Sequence, residues 1–202
     1  MNALPQKVVV ASGNSGKIRE IARLLEDAGV QVVAQSEFGV RDAEETGQTF
    51  AENSLIKARH AAAATGLPAI ADDSGLVVDA LDGAPGVFSA RYAGVGATDE
   101  MNIDKLLHAL RDVALSARGA AFHCAASYVT PDGTTSLLFE GEWRGSILFG
   151  RQGDGGFGYD PVFFDPDSGK SSAMLTPDQK NARSHRGKAL RGLVALIQNH
   201  YS

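Results

Sequence analysis

The feature that most constrains this chain is a short apolar run that leads through a glycine-containing loop into an amphipathic helix. Val8–Ala11 predicts a buried strand, and residues 12–17 (Ser-Gly-Asn-Ser-Gly-Lys) form the loop. Apolar residues then recur at helical spacing, at Ile18, Ile21, Leu24, Leu25 and Ala28. Free backbone N–H groups at such a helix start, with Lys17 beside them, predict an anion site. The alternative is that Ser12 or Asn14 only caps the helix.

The loop is not a Walker A motif, because Gly13 and Gly16-Lys17 are too close together and Ile18 stands where Ser or Thr is required.

A second short apolar run, Leu67–Ala71, predicts another buried strand and is followed by Asp72, Asp73, Ser74 and Gly75. Carboxylates at a buried strand end need a cation or hydrogen-bond donors. Mg²⁺ is commonly held by one or two carboxylates together with substrate phosphates. The competing interpretation is a turn in which Asp caps itself.

Further elements are indicated by caps and periodicity. Val30–Ala34 and Leu76–Leu81 predict strands. Thr49 with Glu52 is a capping box for a helix that continues to about Ala64. Thr98 caps another helix, Phe122–Val129 and Thr135–Trp143 predict a hairpin, and Arg144–Phe149 suggests a third strand there. Strand character resumes at Val162–Phe164, after a glycine-rich loop at 153–161 with exposed aromatic residues, and Thr176-Pro177 begins the C-terminal helices.

Composition limits the class of partner. The chain has 202 residues, a net charge of -5 and 44% hydrophobic residues, which suits one domain or two lobes with a large core. This charge attracts neither nucleic acid nor an anionic membrane. The single Cys124 fits a reducing compartment, and neither a signal-peptide layout nor a membrane-length apolar run is present, so we expect a cytoplasmic protein.

A phosphorylated ligand would therefore need a local basic patch. Between residues 170 and 191 the only acid is Asp178, against six basic residues, Lys170, Lys180, Arg183, Arg186, Lys188 and Arg191. The alternative is an ordinary solvated helix face.

Three groups of residues together suit a Mg²⁺-dependent reaction of a nucleoside triphosphate. The first is the 12–17 loop with Lys17. The second is an acidic set made of Glu44, Glu45, Asp72 and Asp73, which would bind the metal and activate water. The third is a platform for a base, made of Phe157 and Tyr159 with Asp160, His185 and Arg186.

The chain also resembles the inosine triphosphate pyrophosphatases, and most closely their bacterial dITP/XTP pyrophosphatase branch. The matching segments occur in family order over almost the whole chain. They are SGNSGK at 12–17, EETGQTF at 44–50, ENSLIKA at 52–58, ADDSGL at 71–76, GAPG at 83–86, SARYAG at 89–94, GGFGYDP at 155–161 and SHRGKAL at 184–190.

The resemblance implies an elongated, two-lobed α/β fold with a long mixed central sheet flanked by helices and an active-site cleft between the lobes. It implies a single domain over residues 1–202, usually a homodimer. The implied activity is Mg²⁺-dependent hydrolysis of dITP, ITP, XTP and dXTP between the α- and β-phosphates, which gives the nucleoside monophosphate and pyrophosphate. The alternatives are a pyrophosphatase of broader range and a nucleotide-binding module that does not hydrolyse.

The same resemblance implies roles for individual residues. Asp73 would be the general base and a metal ligand, with Asp72 and with Glu44 or Glu45 in the metal set. Phosphates would be bound by Ser12, Gly13, Asn14, Ser15, Gly16, Lys17 and Lys57, with Ser74 also touching substrate. Phe157 would stack on the purine within a segment that includes Gly158 and Tyr159. The base and sugar would be read by Asp160, Lys180, His185 and Arg186, because donors such as Lys180 and Arg186 favour a base with oxygen at C6.

Overall fold

The computed structural model describes residues 5–26 and 29–201, without the side chains of Glu20, Leu24 and Glu26. Two positions of the predicted apolar face of the first helix, the Leu24 side chain and Ala28, therefore lie outside the described part. None of the helices in that part is long and apolar enough to cross a membrane.

The described chain forms one mixed sheet with helices, which confirms the α/β class. The strands are β1 Lys7–Val10, β2 Gln31–Ala34, β3 Ala69–Val78, β4 Gly119–Val129, β5 Ser136–Ile147, β6 Phe163–Asp165 and β7 Lys170–Ser171. The helices are α1 Ser15–Glu26, α2 Phe50–Thr65, α3 Asp99–Ala109, α4 Pro177–Arg183 and α5 His185–Tyr201. The seven strands run in the order β2-β1-β3-β4-β5-β6-β7. β1 is parallel to β2 and β3, whereas β6 is antiparallel to β5 and β7.

The described residues divide into two compact units. Unit 1 comprises residues 5–26, 29–73, 124–141 and 185–201, and unit 2 comprises residues 74–123 and 142–184. One domain with two lobes over residues 1–202, as expected from the sequence, stays a prediction.

Unit 1 has an apolar layer on each face of its strands. Successive β1 side chains point to opposite faces. Val8 and Val10 accordingly pack in one cluster, with residues of α1 and α5 that include Ile21, Leu25, Leu190, Leu193 and Ile197. Val9 packs in the other, with three alanines of α2, Ala58, Ala61 and Ala62. The apolar run predicted as a buried strand is therefore buried on both faces.

Unit 2 has its own core, built largely from aromatic residues and one face of α3. The Phe163 ring lies 4.6 Å from that of Phe122 and 5.0 Å from that of Trp143, measured between centroids. The α3 residues in this core are Ile103 and Leu106, followed by Leu110 at the end of the helix. The Thr98 cap predicted from the sequence is present, since its hydroxyl accepts from the Met101 N–H. The Thr49–Glu52 capping box of α2 in unit 1 is likewise confirmed.

Three predicted boundaries were wrong. The strands expected at Leu67–Ala71 and Leu76–Leu81 are one continuous strand, β3, so Asp72 and Asp73 lie inside a strand rather than at its end. The residues expected to add a third strand at 144–149 instead prolong β5 to Ile147. The strand predicted at Val162–Phe164 begins one residue later, because residues 160–162 form a 3-10 turn before β6. The local sequence predicts a break at Asp72 and Asp73 because two carboxylates are unfavourable inside a buried strand. The cations that neutralise Asp72, Lys17 and Arg186, are distant in sequence and do not appear in the local pattern.

Candidate active site

The 12–17 loop is organised by Asn14, which is the cap of α1. The Asn14 side-chain oxygen accepts from the backbone N–H groups of Gly16 at 2.9 Å and Lys17 at 3.1 Å. The Ser12 hydroxyl in turn accepts from the N–H of Asn14 at 3.1 Å. Of the two interpretations of the loop, an anion site and a simple helix cap, the cap is therefore confirmed for Asn14. The loop is nevertheless accessible, since Gly13, Asn14 and Ser15 are exposed, and no acidic residue lies in the first turn of α1.

Asp72 is a buried carboxylate held between two cations. Its Oδ2 lies 3.2 Å from Lys17 Nζ and 3.1 Å from Arg186 Nε, and the side chain has no exposed surface. Burial alone would raise the pKa of Asp72, but the charges of Lys17, Arg186 and Lys57 outweigh it and hold the pKa well below its usual range. Asp72 is thus a permanent anion that ties β3 to the starts of α1 and α5.

Asp73, the next residue in β3, has a different environment. Lys57 Nζ donates to its Oδ1 at 2.9 Å, and Asn53 Nδ2 donates to its Oδ2 at 3.2 Å. Burial raises the pKa of Asp73; the Lys57 charge opposes this, and nearby Glu45 adds to it, leaving the pKa raised. Two adjacent carboxyl groups with pKa values shifted in opposite directions indicate separate roles. Asp73 is the one suited to accept a proton.

Lys57 links Asp73 to Glu45. Its Nζ lies 2.9 Å from Glu45 Oε1 as well as 2.9 Å from Asp73 Oδ1. Burial lowers the pKa of Lys57, but the charges of Asp73, Asp72 and Glu45 reverse the effect and leave it raised, so the ammonium stays charged. Of the two glutamates that sequence could not separate, Glu45 is the one that joins this cluster, whereas Glu44 is exposed.

This acidic set fits a divalent cation through Glu45 and Asp73. In the described part of the chain no group of three or more His, Cys, Asp and Glu side chains gathers as a metal site. Two carboxylates completed by substrate phosphates are, however, the usual donors for Mg²⁺. Asp72 is less suited as a ligand, because its side chain has no exposed surface and its charge is already balanced by Lys17 and Arg186.

Asn53 belongs to this cluster and was not assigned a role from the sequence. It is fully buried, and its Oδ1 accepts from the N–H of Gly47 at 2.8 Å, which fixes the amide with Nδ2 toward Asp73. A Cβ at Gly47 would lie 2.7 Å from that oxygen, so this position requires glycine. The available signal was its place in α2 one turn before Lys57, because residues four apart share a helix face.

In unit 2, Asp160 organises the glycine-rich loop. Its Oδ2 accepts from the Phe157 N–H at 2.9 Å and pairs with Lys180 Nζ at 2.6 Å, while its Oδ1 accepts from the Ser172 hydroxyl at 2.8 Å. The Lys180 ammonium also lies 4.6 Å from the centroid of the Phe157 ring. Phe157 and Asp160, predicted as parts of one platform, do come together, and Lys180, to which the resemblance gave a role in reading the base, joins them.

Tyr159 does not present its ring as a platform. It is buried in the unit 2 core, and its hydroxyl donates to the Ser89 carbonyl at 2.8 Å. The expectation that this loop exposes both aromatic rings was therefore wrong for Tyr159. Phe157, by contrast, is only half-buried and does not belong to that core.

The run of basic residues at 170–191 is only in part an open basic patch, in which Lys170, Lys188 and Arg191 are exposed. Three of its members form ion pairs with acids outside the run, namely Lys180 with Asp160, Arg183 with Asp165, and Arg186 with Asp72. Both alternatives considered from the sequence, a ligand patch and a solvated face, missed these pairs, because their partners lie up to 114 residues away.

The remaining predicted residues occupy ordinary positions in their elements. Ser74 follows Asp73 in β3 and is half-buried. Gly158 donates its N–H to Asp99 at 2.7 Å in unit 2. His185 is the first residue of α5 in unit 1 and is buried next to Arg186.

Comparison with known proteins identifies the family. The model of the Ham1 family matches residues 8–196. The chain belongs to the Ham1 family. A relative named dITP/XTP pyrophosphatase, from Pectobacterium atrosepticum, is 56% identical over 96% of this chain and 99% of its own length. The one from Salmonella paratyphi A, with the same name, is 57% identical over the same shares. The solved Ham1 protein of Coxiella burnetii has a TM-score of 0.88 and 48% identity, covering 96% of this chain and 98% of its own.

The resemblance noted in the sequence is thereby confirmed. The Ham1 match spans all eight segments on which the resemblance rested, from residues 12–17 to residues 184–190. It covers both the acidic cluster of unit 1 and the Phe157 loop of unit 2. The roles of individual residues in this Ham1 member remain predictions.

Proposed function

We propose that this Ham1 family member hydrolyses non-canonical purine nucleoside triphosphates, dITP, ITP, XTP and dXTP, to the nucleoside monophosphate and pyrophosphate. The observation that carries the proposal is the pair of adjacent β3 carboxylates, of which Asp72 is locked between Lys17 and Arg186 while Asp73 has a raised pKa. The activity is the one in the names of relatives that match 96% of this chain at 56% and 57% identity.

Within unit 1 the triphosphate is bound by cations and by the accessible loop. Lys17 and Lys57 neutralise phosphate oxygens, and the exposed residues 13–15 at the start of α1 lie where an anion is favoured. Each lysine already pairs with a carboxylate, so its ammonium is held in place before the substrate arrives. Preorganised charge of this kind stabilises a transition state because little reorganisation is needed.

The hydrolytic step uses Asp73 as the proton acceptor. A water oxygen attacks the α-phosphorus while the bond from that phosphorus to the α–β bridging oxygen breaks. Asp73 takes the water proton, and pyrophosphate leaves with the bridging oxygen. Asn53 and Lys57 hold the carboxylate in one orientation by occupying both its oxygens. Mg²⁺, which we assign to Glu45 and Asp73, would supply charge neutralisation of the phosphates and of the leaving group.

Within unit 2 the base is recognised by stacking and by one cation. The half-buried Phe157 offers its ring to a purine, and Lys180 lies next to that ring. An ammonium donates only, so it pairs with the C6 oxygen of hypoxanthine or xanthine and not with the amino group of adenine. A site built to bond one group can reject an analogue that lacks it by roughly 10⁴-fold.

The decisive experiment is incubation of the pure protein with ITP and Mg²⁺, followed by identification of the inorganic product. Pyrophosphate is expected, and orthophosphate would show that another bond is cut. Asp73→Asn should remain folded and lose roughly 10²- to 10⁴-fold in turnover, the usual contribution of a general base. Asp112→Asn, an exposed carboxylate paired only to its neighbour Arg111 among the described contacts, is the matched control.

Two alternatives have distinct outcomes. Pyrophosphate release from GTP, ATP or modified pyrimidine nucleotides at rates similar to ITP would favour a broader pyrophosphatase. Tight ITP binding in calorimetry without product at any Mg²⁺ concentration would favour a binding module.

We further propose a single functional domain over residues 1–202, acting as a cytoplasmic homodimer. Size-exclusion chromatography with light scattering would test the homodimer.

A further inference from the structure

Phe157 lies between two glycines, so the backbone that carries its ring has high conformational freedom. Gly156 and Gly158 on either side of it both have positive φ angles, 77° and 60°. A Cβ at Gly156 would lie 2.0 Å from Asp160 Oδ2, so this residue cannot be replaced by a stiffer one without displacing Asp160. The position of the ring therefore depends on hydrogen bonds and other contacts with residues outside 156–158.

Two carboxylates supply these hydrogen bonds to two consecutive N–H groups. Asp160 accepts from Phe157 at 2.9 Å and belongs to the same loop. Asp99 Oδ2 accepts from Gly158 at 2.7 Å and comes from α3, 59 residues earlier in the chain. Bonds from an N–H to a carboxylate are stronger than neutral ones. Asp99 thus connects the loop to a separate element of unit 2.

The helix that carries Asp99 is firmly placed in unit 2. The Thr98 hydroxyl caps it, Ile103 and Leu106 are buried in the core, and Asn102 bonds the backbone of residues 90 and 93. Asp99 is the first residue of α3 and is exposed, so core packing does not account for it. An acid in the first turn of a helix also stabilises that helix through the helix dipole. An experiment must therefore distinguish this helix-stabilising role of Asp99 from its bond to Gly158.

We infer that Asp99 is a positioning residue for base recognition: by holding the Gly158 N–H it fixes the Phe157 ring against which the purine stacks. This inference rests on the proposed function, in which Phe157 binds the base. Stacking contributes to ground state and transition state alike. Loss of Asp99 should therefore raise KM and leave kcat nearly unchanged.

The test compares Asp99→Ala with Asp99→Asn, whose side-chain oxygen still accepts from Gly158. Asp99→Ala should raise the KM for ITP about fivefold, the size expected for one such hydrogen bond, with kcat within about twofold. Asp99→Asn should restore most of the KM. Glu100→Gln is the control, since it removes another first-turn acid while Arg151 keeps its bond to Asp104 at 2.7 Å. Equal KM changes in Asp99→Ala and Glu100→Gln would overturn the inference.

A double-mutant cycle makes the test specific to the ring. In a Phe157→Ala background, Asp99→Ala should cause no further rise in KM, and a full further rise would contradict the inference. Hydrogen exchange of the peptide spanning residues 153–160 should be faster in Asp99→Ala than in the wild type or Asp99→Asn. Unchanged exchange would show that Asp99 does not hold the loop. If the wild type releases no pyrophosphate from ITP, the proposed function fails, whereas the exchange result still decides whether Asp99 fixes the segment.

Discussion

Lys57 donates a 2.9 Å hydrogen bond to Asp73 and, from the same nitrogen, a 2.9 Å hydrogen bond to Glu45. One ammonium thus separates the two carboxylates to which we assign the metal. Without that cation the two acids would face each other across a partly buried space, and each would disfavour the charge of the other.

Replacing Lys57 by Met should therefore make the protein depend on a divalent cation for stability. In Lys57→Met the carboxylates of Glu45 and Asp73 lose the ammonium that they share and gain more from a bound cation, so Mg²⁺ should raise Tm more than in the wild type. Thermal melts with Mg²⁺ and with a chelator measure this directly. Arg59→Met, which removes an exposed positive charge from the same helix, should behave like the wild type. Equal Mg²⁺ responses in all three proteins would argue against Glu45 and Asp73 as the metal ligands.

Asn53 should matter for turnover more than for stability. Asn53→Ala removes the donor to Asp73 Oδ2, and loss of a residue that orients a metal ligand reduces activity by roughly 10- to 100-fold. Ser54→Ala is a matched control in the next position of α2, because its buried hydroxyl bonds Ser127 at 2.7 Å and not Asp73. Ser54→Ala should lose about 1–2 kcal/mol of unfolding free energy with kcat retained. Similar kcat values in the two variants would refute the orienting role.

Asp72 should be the most important charge for the stability of unit 1. Asp72→Asn leaves the buried Arg186 and the partly buried Lys17 without their anion. Breaking a buried ion pair from one side costs about 3–5 kcal/mol. Denaturant unfolding monitored by circular dichroism measures the loss. Asp112→Asn, at an exposed pair, should unfold like the wild type, and a loss in Asp72→Asn no larger than in this control would contradict the prediction.

Asp165 should make the stability of unit 2 depend on pH in the acid range. It is buried, accepts from the Trp143 indole at 3.1 Å and pairs with Arg183 at 3.2 Å. Burial raises the pKa of Asp165, but hydrogen bonds from Ser168 and Trp143 and the Arg183 charge lower it below the ordinary 3.8. A lowered folded pKa stabilises the protein above the unfolded pKa, and this stabilisation is lost as pH falls through the folded value.

The measurement compares Asp165→Asn with the wild type by unfolding monitored through Trp143, the single tryptophan. At neutral pH the variant should be less stable by about 1–3 kcal/mol, the usual penalty for disturbing a buried charged hydrogen bond. The two proteins should converge once the pH has fallen below the lowered pKa of Asp165 in the folded protein. Asp167→Asn, at an exposed neighbouring position, is the control. A difference that persists unchanged at low pH would show that the charge of Asp165 is not its source.

The sequence by itself determined the features that depend on neighbouring residues and on pattern. The first strand, predicted at Val8–Ala11 and found at Lys7–Val10, was recognised from sequence. So were the caps at Thr49 and Thr98, the start of the C-terminal helices at Thr176-Pro177, and the family. Periodicity and capping are local, so they can be recognised without a fold. The order of the family motifs can likewise be recognised from the sequence alone, since it is a property of the order of the residues.

Only the tertiary structure decided which charges meet. Asp72 lies inside a strand because Lys17 and Arg186, 55 residues before it and 114 after, neutralise it there, and no local pattern contains that information. The choice of Glu45 over Glu44 depends on which side chain reaches Lys57, and the roles of Asn53 and Asp99 depend on partners 20 and 59 residues away. A buried charge is stable only with its partner, and that partner is placed by the packing of the whole chain.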